Sequence, residues 1–166
     1  MAERNELSIG LLRAGQITDL NGDDLDTMPR LVTKSITTLA NGYQALFTVT
    51  GQVRIDQIYG QVTTGIENAA VSAKLSAGIS TNYTDLCAAA SVQNALAGVM
   101  LSCTGTVANA LLTSVATITA VIAQATPWVV KDGATIYQNN TAAKTGKITW
   151  YVRYTPLTVG AVITAA

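Results

Sequence analysis

Three segments of this chain alternate strictly between apolar and polar residues, and this period of two constrains the fold more than any other feature. An extended strand points successive side chains to opposite faces, so such alternation predicts half-buried β-strands. The apolar positions are Phe47, Val49, Val53 and Ile55 in the first segment, which only Gly51 interrupts, Val71, Ala73, Leu75, Ala77 and Ile79 in the second, and Ile148, Trp150, Val152 and Tyr154 in the third.

The strand pattern extends beyond these three segments. The phase slips near Gln57, as a β-bulge or bend would cause, and Pro156 closes the last strand. Further strands are predicted at residues 31–38, 98–107, 114–123 and 133–138. The one helical alternative lies at residues 85–97, where Leu86 and nearby alanines fit a short turn of helix.

Turn-forming residues separate the predicted strands at intervals of about 8–12 residues, which is the spacing of a β-sandwich or barrel. They are Asn41-Gly42, Asn68, Gly78, Asn82, Gly105, Asp132-Gly133, Asn139-Asn140 and Gly146. We therefore predict an all-β chain built from antiparallel strands.

The first 30 residues differ from the rest, and their apolar residues follow neither period cleanly. They carry six acidic and three basic residues, a net charge of −3, whereas residues 31–166 carry four acidic and seven basic residues, a net charge of +3. We predict an extended N-terminal arm at residues 1–30 and a β-sandwich body at residues 31–166. The opposite charges suggest that the arm docks on a basic surface, either of a neighbouring copy or of a partner.

Charge is scarce in the chain as a whole. Apolar residues make up 49% and charged residues 12%, with a net charge of zero. A free monomer with so little surface charge tends to associate, so we expect a homo-oligomer. Nucleic acid as a partner is disfavoured because the basic residues are not clustered. We expect neither a signal peptide nor a membrane span, since polar residues such as Gln93 and Asn109 interrupt the uncharged stretch at residues 86–130.

The residues of common catalytic sites are missing from the sequence. The chain has no histidine, no phosphate-binding or dinucleotide-binding glycine motif, and only four acidic residues after the arm, Asp56, Glu67, Asp85 and Asp132. We interpret these four as solvated residues at strand ends and turns. We predict no enzymatic activity, no catalytic, cofactor-binding or metal site, and no cofactor.

Two smaller features have alternative interpretations. The acidic stretch at residues 19–26 does not fit an EF-hand, because Asp24 stands where that loop needs glycine. It is either an acidic turn that pairs with a basic patch on a partner or a looser Ca²⁺ site. Cys87 and Cys103 are predicted to be buried small hydrophobes, with a disulfide as the alternative.

The aromatic residues near the end of the chain suggest either a carbohydrate-binding platform or core packing. Trp150 and Tyr154 share the apolar face of their predicted strand, which favours the core. Tyr151 points the other way and is a candidate contact residue. Trp128 is the fourth member of this set.

Four segments stand out in order along the chain: residues 45–51 (ALFTVTG), 84–89 (TDLCAA), 101–106 (LSCTGT) and 145–157 (TGKITWYVRYTPL), the last followed by Gly160-Ala161. In this order they resemble small virion proteins of tailed bacteriophages, and capsid decoration (cement) proteins in particular. The resemblance covers about residues 40–166.

The resemblance implies a β-sandwich or jelly-roll-like body, often a homotrimer, that binds the major capsid protein and clamps neighbouring capsid subunits. We therefore expect a structural protein of the virion, assembled in the host cytoplasm. The alternatives are another phage component, such as a tail tube, tail tip or head fibre, or a glycan-binding β-sandwich module. The sequence leaves open whether residues 1–30 contact another copy or the capsid.

Overall fold

The computed structural model describes residues 28–113, 121 and 123–166. Strands and connecting loops make up this part of the chain, and it contains no helix. The strands are β1 (Arg30–Leu39), β2 (Gly42–Thr50), β3 (Val53–Thr64), β4 (Ser72–Ile79), β5 (Asn82–Asp85), β6 (Ala90–Ser91), β7 (Met100–Ser102), β8 (Leu112–Thr113), β9 (Trp128–Val130), β10 (Thr135–Asn140), β11 (Lys144–Pro156) and β12 (Val162–Ala165).

The strands form two antiparallel sheets. The first sheet has the order β1-β11-β3-β7-β8, with β9 also paired to β3, and the second has the order β12-β2-β10-β4-β5, with β6 also paired to β4. The pairs β1·β11, β2·β10, β3·β7 and β4·β5 are nested within one another, and the chain changes sheet at most connections. This nested pairing is the arrangement of a jelly roll. The prediction of an antiparallel, jelly-roll-like β-sandwich is confirmed.

The alternating segments form strands whose apolar faces line the core between the sheets, with one correction. The first segment is not a single strand: it turns at Gly51, so that β2 belongs to the second sheet and β3 to the first. Gly51 has a φ of 71°, which favours glycine. The alternation continues through this turn because both strands face the same core.

Other local predictions have mixed outcomes. The bulge near Gln57 is confirmed, because the pairing of β11 with β3 shifts register there. The predicted strand at residues 98–107 shortens to β7, and the helical alternative at residues 85–97 is wrong, since β6 lies there. Gly78 is a strand residue rather than a turn. A Cβ at Gly78 would collide with the Asn82 carbonyl, so glycine allows the close β4–β5 hairpin.

Two of the predicted turns lie inside strands, and two more of the predicted strands have counterparts in the structure. Asn139-Asn140 and Gly146 lie in β10 and β11 rather than in turns. The predicted strands at residues 31–38 and 133–138 correspond to β1 and β10. The predicted strand at residues 114–123 lies almost wholly outside the described residues, as does the predicted arm, since the description begins at Met28 and β1 begins at Arg30.

The centre of the core is built around Trp150 of β11, which is fully buried together with Phe47. Gly60 of the adjacent β3 makes room for the indole, because a Cβ there would lie 3.0 Å from two of its ring carbons. The Trp150 Nε1 donates to Gln138 Oε1 at 2.7 Å, and Gln138 Nε2 donates to Asn140 Oδ1 at 2.6 Å. Asn140 Nδ2 then donates to the carbonyl of Ala40 at 2.9 Å. This polar chain links the two sheets through the core.

The two lateral sides of the sandwich differ. On one, which we call the closed side, β1 contacts β12, and the Lys34 Nζ donates to the backbone oxygen of Ala166. On the other, the open side, β5 and β9 lie at the edges of the two sheets. A bridge between Ala88 and Ala110 joins the sheets over part of the open side. The remainder of the open side is a groove.

Candidate functional site

The outer face of the first sheet carries ordered rows of uncharged side chains. Strand pairing aligns Thr33, Tyr151 and Tyr59 in one row across β1, β11 and β3. The adjacent row holds Ser35, Thr149 and Gln61, in which the Ser35 and Thr149 hydroxyls hydrogen-bond at 2.8 Å. We call these six residues the polar face.

A stacked pair of tyrosines stands at the centre of the polar face. The rings of Tyr59 and Tyr151 are nearly parallel, at an angle of 10°, with centroids 4.8 Å apart. They border a shallow depression of about 550 Å³ with Gln57, Gln61 and Met100. Aromatic rings beside amide groups provide both apolar contact and hydrogen-bonding capacity.

The outer face of the second sheet carries a different aromatic cluster. Tyr43 and Tyr83 stack with centroids 3.8 Å apart, and each meets Tyr137 edge-to-face, at 5.9 and 5.3 Å respectively. The three rings come from β2, β5 and β10, so strand pairing rather than sequence proximity assembles them. Tyr43 is 42% exposed and gives this cluster a solvent-facing edge.

An ion pair lies beside the tyrosine cluster on the same face. Asp85 at the end of β5 accepts hydrogen bonds from Lys74 Nζ at 2.6 Å and from the Ser76 hydroxyl at 2.8 Å. The Lys74 hydrogen bond is the main cause that lowers the pKa of the Asp85 carboxyl, against the opposing effect of burial. The carboxylate is therefore held in its charged form.

The groove on the open side has a volume of about 650 Å³ and is bordered by β5 and β9. Its lining is mainly apolar, including Ile79, Leu86 and Val130, with Lys131 and Asp85 also present. Trp128 of β9 lines it too, and the buried Nε1 atom of this residue has no hydrogen-bond partner among the described residues. A second buried polar atom that finds no partner in this part of the chain, Gln124 Oε1, lies a few residues before β9.

The predicted aromatic and cysteine residues occupy defined places. Trp150 and Tyr154 are in the core, as predicted, and Tyr151 points outward. Cys87 and Cys103 are buried and free, which confirms their prediction as small hydrophobes. A hydrogen bond with Cys87, together with burial, raises the pKa of Cys103 far above its usual range, so that this thiol stays protonated.

The four acidic residues of the body are more engaged than predicted. Asp56 lies within β3 rather than at a strand end, and it pairs with Arg54 at 2.7 Å and accepts from the Thr155 hydroxyl. Asp132 accepts from the Gly51 amide at 2.7 Å, which ties two turns together. Glu67 is exposed, as predicted. The acidic stretch at residues 19–26 lies outside the described residues.

Neither a metal-ligand cluster nor a membrane-spanning helix is present among the described residues. In residues 28–113, 121 and 123–166, no three acidic or cysteine side chains come together in a group that could hold a metal ion. The same part of the chain has no helix with the length and apolar character needed to cross a membrane.

Comparisons with known proteins give no relative for this chain: none of the protein-family models, curated proteins or solved structures compared with it matches.

Sequence reasoning identified Tyr151 but missed its partner Tyr59 and the tyrosine cluster of the second sheet. The apolar–polar alternation after Gln57 places Ile58 and Gly60 on the inward face of the strand. The sequence therefore already indicates that Tyr59 points outward. The missing information was the pairing of β3 with β11, which joins residues about 90 positions apart.

Proposed function

We propose that this chain is a structural virion protein that decorates and stabilises a bacteriophage capsid by binding subunits of the major capsid protein. Its working form is a homo-oligomer, with the trimer favoured by the resemblance to cement proteins. The polar face is the observation that carries the proposal. It supplies a broad, uncharged contact surface with two tyrosines at its centre.

The composition of the polar face suits a protein partner. The centres of protein interfaces are depleted in charged residues and enriched in aromatic ones, and tyrosine is common among the residues that dominate binding energy. Charges flank the polar face at both ends: Arg153 lies in the neighbouring row beside Leu31 and Gln57, and Lys147 lies two residues before Thr149 on the same face of β11. Leu31, which is 62% exposed, adds an apolar side chain at this margin.

A sedimentation experiment tests the proposal directly. Purified protein is mixed with empty heads assembled from the major capsid protein of a tailed bacteriophage that carries this protein, and its occupancy is measured. Tyr151→Ala should weaken binding about tenfold, since it removes a central aromatic contact. Tyr43→Ala, the matched change on the opposite sheet, should leave binding unchanged. Absence of binding by the unaltered chain would contradict the proposal.

A glycan-binding module is the second candidate, favoured by the depression beside the Tyr59–Tyr151 pair. Its glutamine side chains offer amide donors and acceptors next to aromatic surface, which is the combination that sugars need. Titration with host-surface polysaccharide separates the two functions. Binding to polysaccharide that Tyr151→Ala abolishes, without binding to capsids, would favour the module over the capsid protein.

A further inference from the structure

The groove on the open side lies between two strands whose outer edges have no partner strand among the described residues. Within the described part of the chain, β9 pairs only with β3, and β5 pairs only with β4. The unpaired N–H and C=O groups of such edges readily accept an added strand. The groove between these edges is also apolar, since Ala77, Ile79, Leu86, Trp128 and Val130 line it. Both features fit an extended segment with apolar side chains at alternate positions.

Before the described residues begin at Met28, the sequence contains one such segment. Leu7, Ile9 and Leu11 alternate with Ser8 and Gly10, and Leu12 ends the alternation; the longer arm keeps to no period. In an extended conformation the three large apolar side chains share one face. We propose that residues 6–12, from the same or a neighbouring copy, occupy the groove as an added strand with Leu7, Ile9 and Leu11 facing inward.

The distance permits this docking. Arg30 pairs with Tyr154, Tyr154 with Ile55, and Ile55 with Trp128, so the start of β1 and the groove lie on one row of the first sheet. Three strand spacings amount to about 15 Å. Residues 13–27, when extended, span up to about 50 Å. The connecting segment therefore reaches the groove of its own copy and, equally, that of an adjacent one.

Charge supports the same occupant. Residues 1–27 hold six acidic and two basic residues, a net charge of −4, and Glu6 directly precedes Leu7. Lys131 lines the groove and forms no ion pair with any of the described residues. An acidic segment that enters beside this lysine gains a favourable electrostatic contact.

The inference deepens the proposed function, because an arm that fills the groove of a neighbour would link copies in the assembly. It does not depend on a capsid, and its test uses the purified full-length protein alone. Failure of the arm to dock would leave capsid binding through the polar face untouched. Failure to bind capsids would likewise leave the groove result standing.

Disulfide trapping tests the proposed register. The full-length double variant Ile9→Cys, Ile79→Cys should form a new disulfide in a glutathione buffer about tenfold more readily than Ser8→Cys, Ile79→Cys, whose cysteine at position 8 faces away. The native cysteines are buried and do not interfere. Trapping within one chain or between two chains supports the proposal and tells the two arrangements apart. Equal trapping at positions 8 and 9, or none, overturns it.

Hydrogen exchange tests the same contact without altering the sandwich. Ile9→Asp places a charge on the inward face of the segment, and should speed exchange at the backbone amides of β9 and β5 about tenfold. Ser8→Asp adds the same charge on the outward face and should leave exchange unchanged. If the two variants exchange alike at both strands, residues 6–12 do not occupy the groove.

Discussion

The centre of the core and the open side of the sandwich treat their buried polar groups in opposite ways. In the centre of the core, the chain from Trp150 through Gln138 and Asn140 to the Ala40 carbonyl leaves each linked group with a partner. Beside the open side, Trp128 Nε1 and Gln124 Oε1 are buried without partners among the described residues. The described residues therefore satisfy the tryptophan donor in one region and not in the other.

This contrast distinguishes buried polar groups that stabilise the fold from buried polar groups that indicate a site of function. A buried polar group with a partner adds specificity and a modest free energy, whereas one without a partner costs about 1–3 kcal/mol. Unsatisfied groups in folded proteins call for an explanation, and they often mark sites of function. The polar chain in the core fixes the relation of the two sheets, while the open side combines an indole N–H and strand edges that have no partner among the described residues with an apolar groove. We infer that contacts with further chain segments form on the open side.

The largest effect is expected from breaking the polar chain in the centre of the core. Gln138→Met keeps the length of a fully buried side chain but leaves both the Trp150 N–H and the Asn140 oxygen without a partner. The free energy of unfolding should fall by about 3 kcal/mol. Urea titration measures it. Gln93→Met, at an exposed glutamine, should change it by less than about 0.5 kcal/mol. Similar small losses in both variants would show that the polar chain contributes little.

The importance of Gln138 illustrates what the sequence could and could not predict. Alternation placed Trp150 in the core, and the same local rule predicted β4 and the inward face of β11. No local rule identifies Gln138 as buried, because whether a glutamine in a strand can be buried depends on the residue of the other sheet that faces it. The tyrosine cluster and the groove are likewise products of non-local pairing, which period and turn signals do not encode.

A matched pair of tryptophan variants tests the contrast between the core and the open side more directly. Trp150→Phe removes a satisfied donor, leaves Gln138 Oε1 unpaired and opens a small cavity, so the free energy of unfolding should fall by about 2–3 kcal/mol. Trp128→Phe removes a donor that has no partner among the described residues and should cost less than about 1 kcal/mol. Thermal or urea unfolding compares them. Equal losses would mean that Trp128 Nε1 is satisfied by a group beyond the described residues.

The smallest effect concerns the ion pair at the edge of the open side. Because Lys74 lowers the pKa of Asp85 in the folded chain, the carboxylate stabilises the fold above the unfolded pKa of about 4, and this contribution is lost as pH falls through the lowered folded pKa. The Asp85 side chain is 39% exposed, so solvent screening limits the contribution to less than about 1 kcal/mol.

Asp85→Asn should therefore destabilise the chain slightly at pH 7, with the difference from the unaltered chain vanishing in strong acid. Urea midpoints measured from pH 7 down to about pH 2 follow this loss, and Glu67→Gln, at an exposed carboxylate, serves as the control. A difference that persists unchanged at the lowest pH would mean that Asp85 acts through packing or hydrogen bonding rather than through its charge.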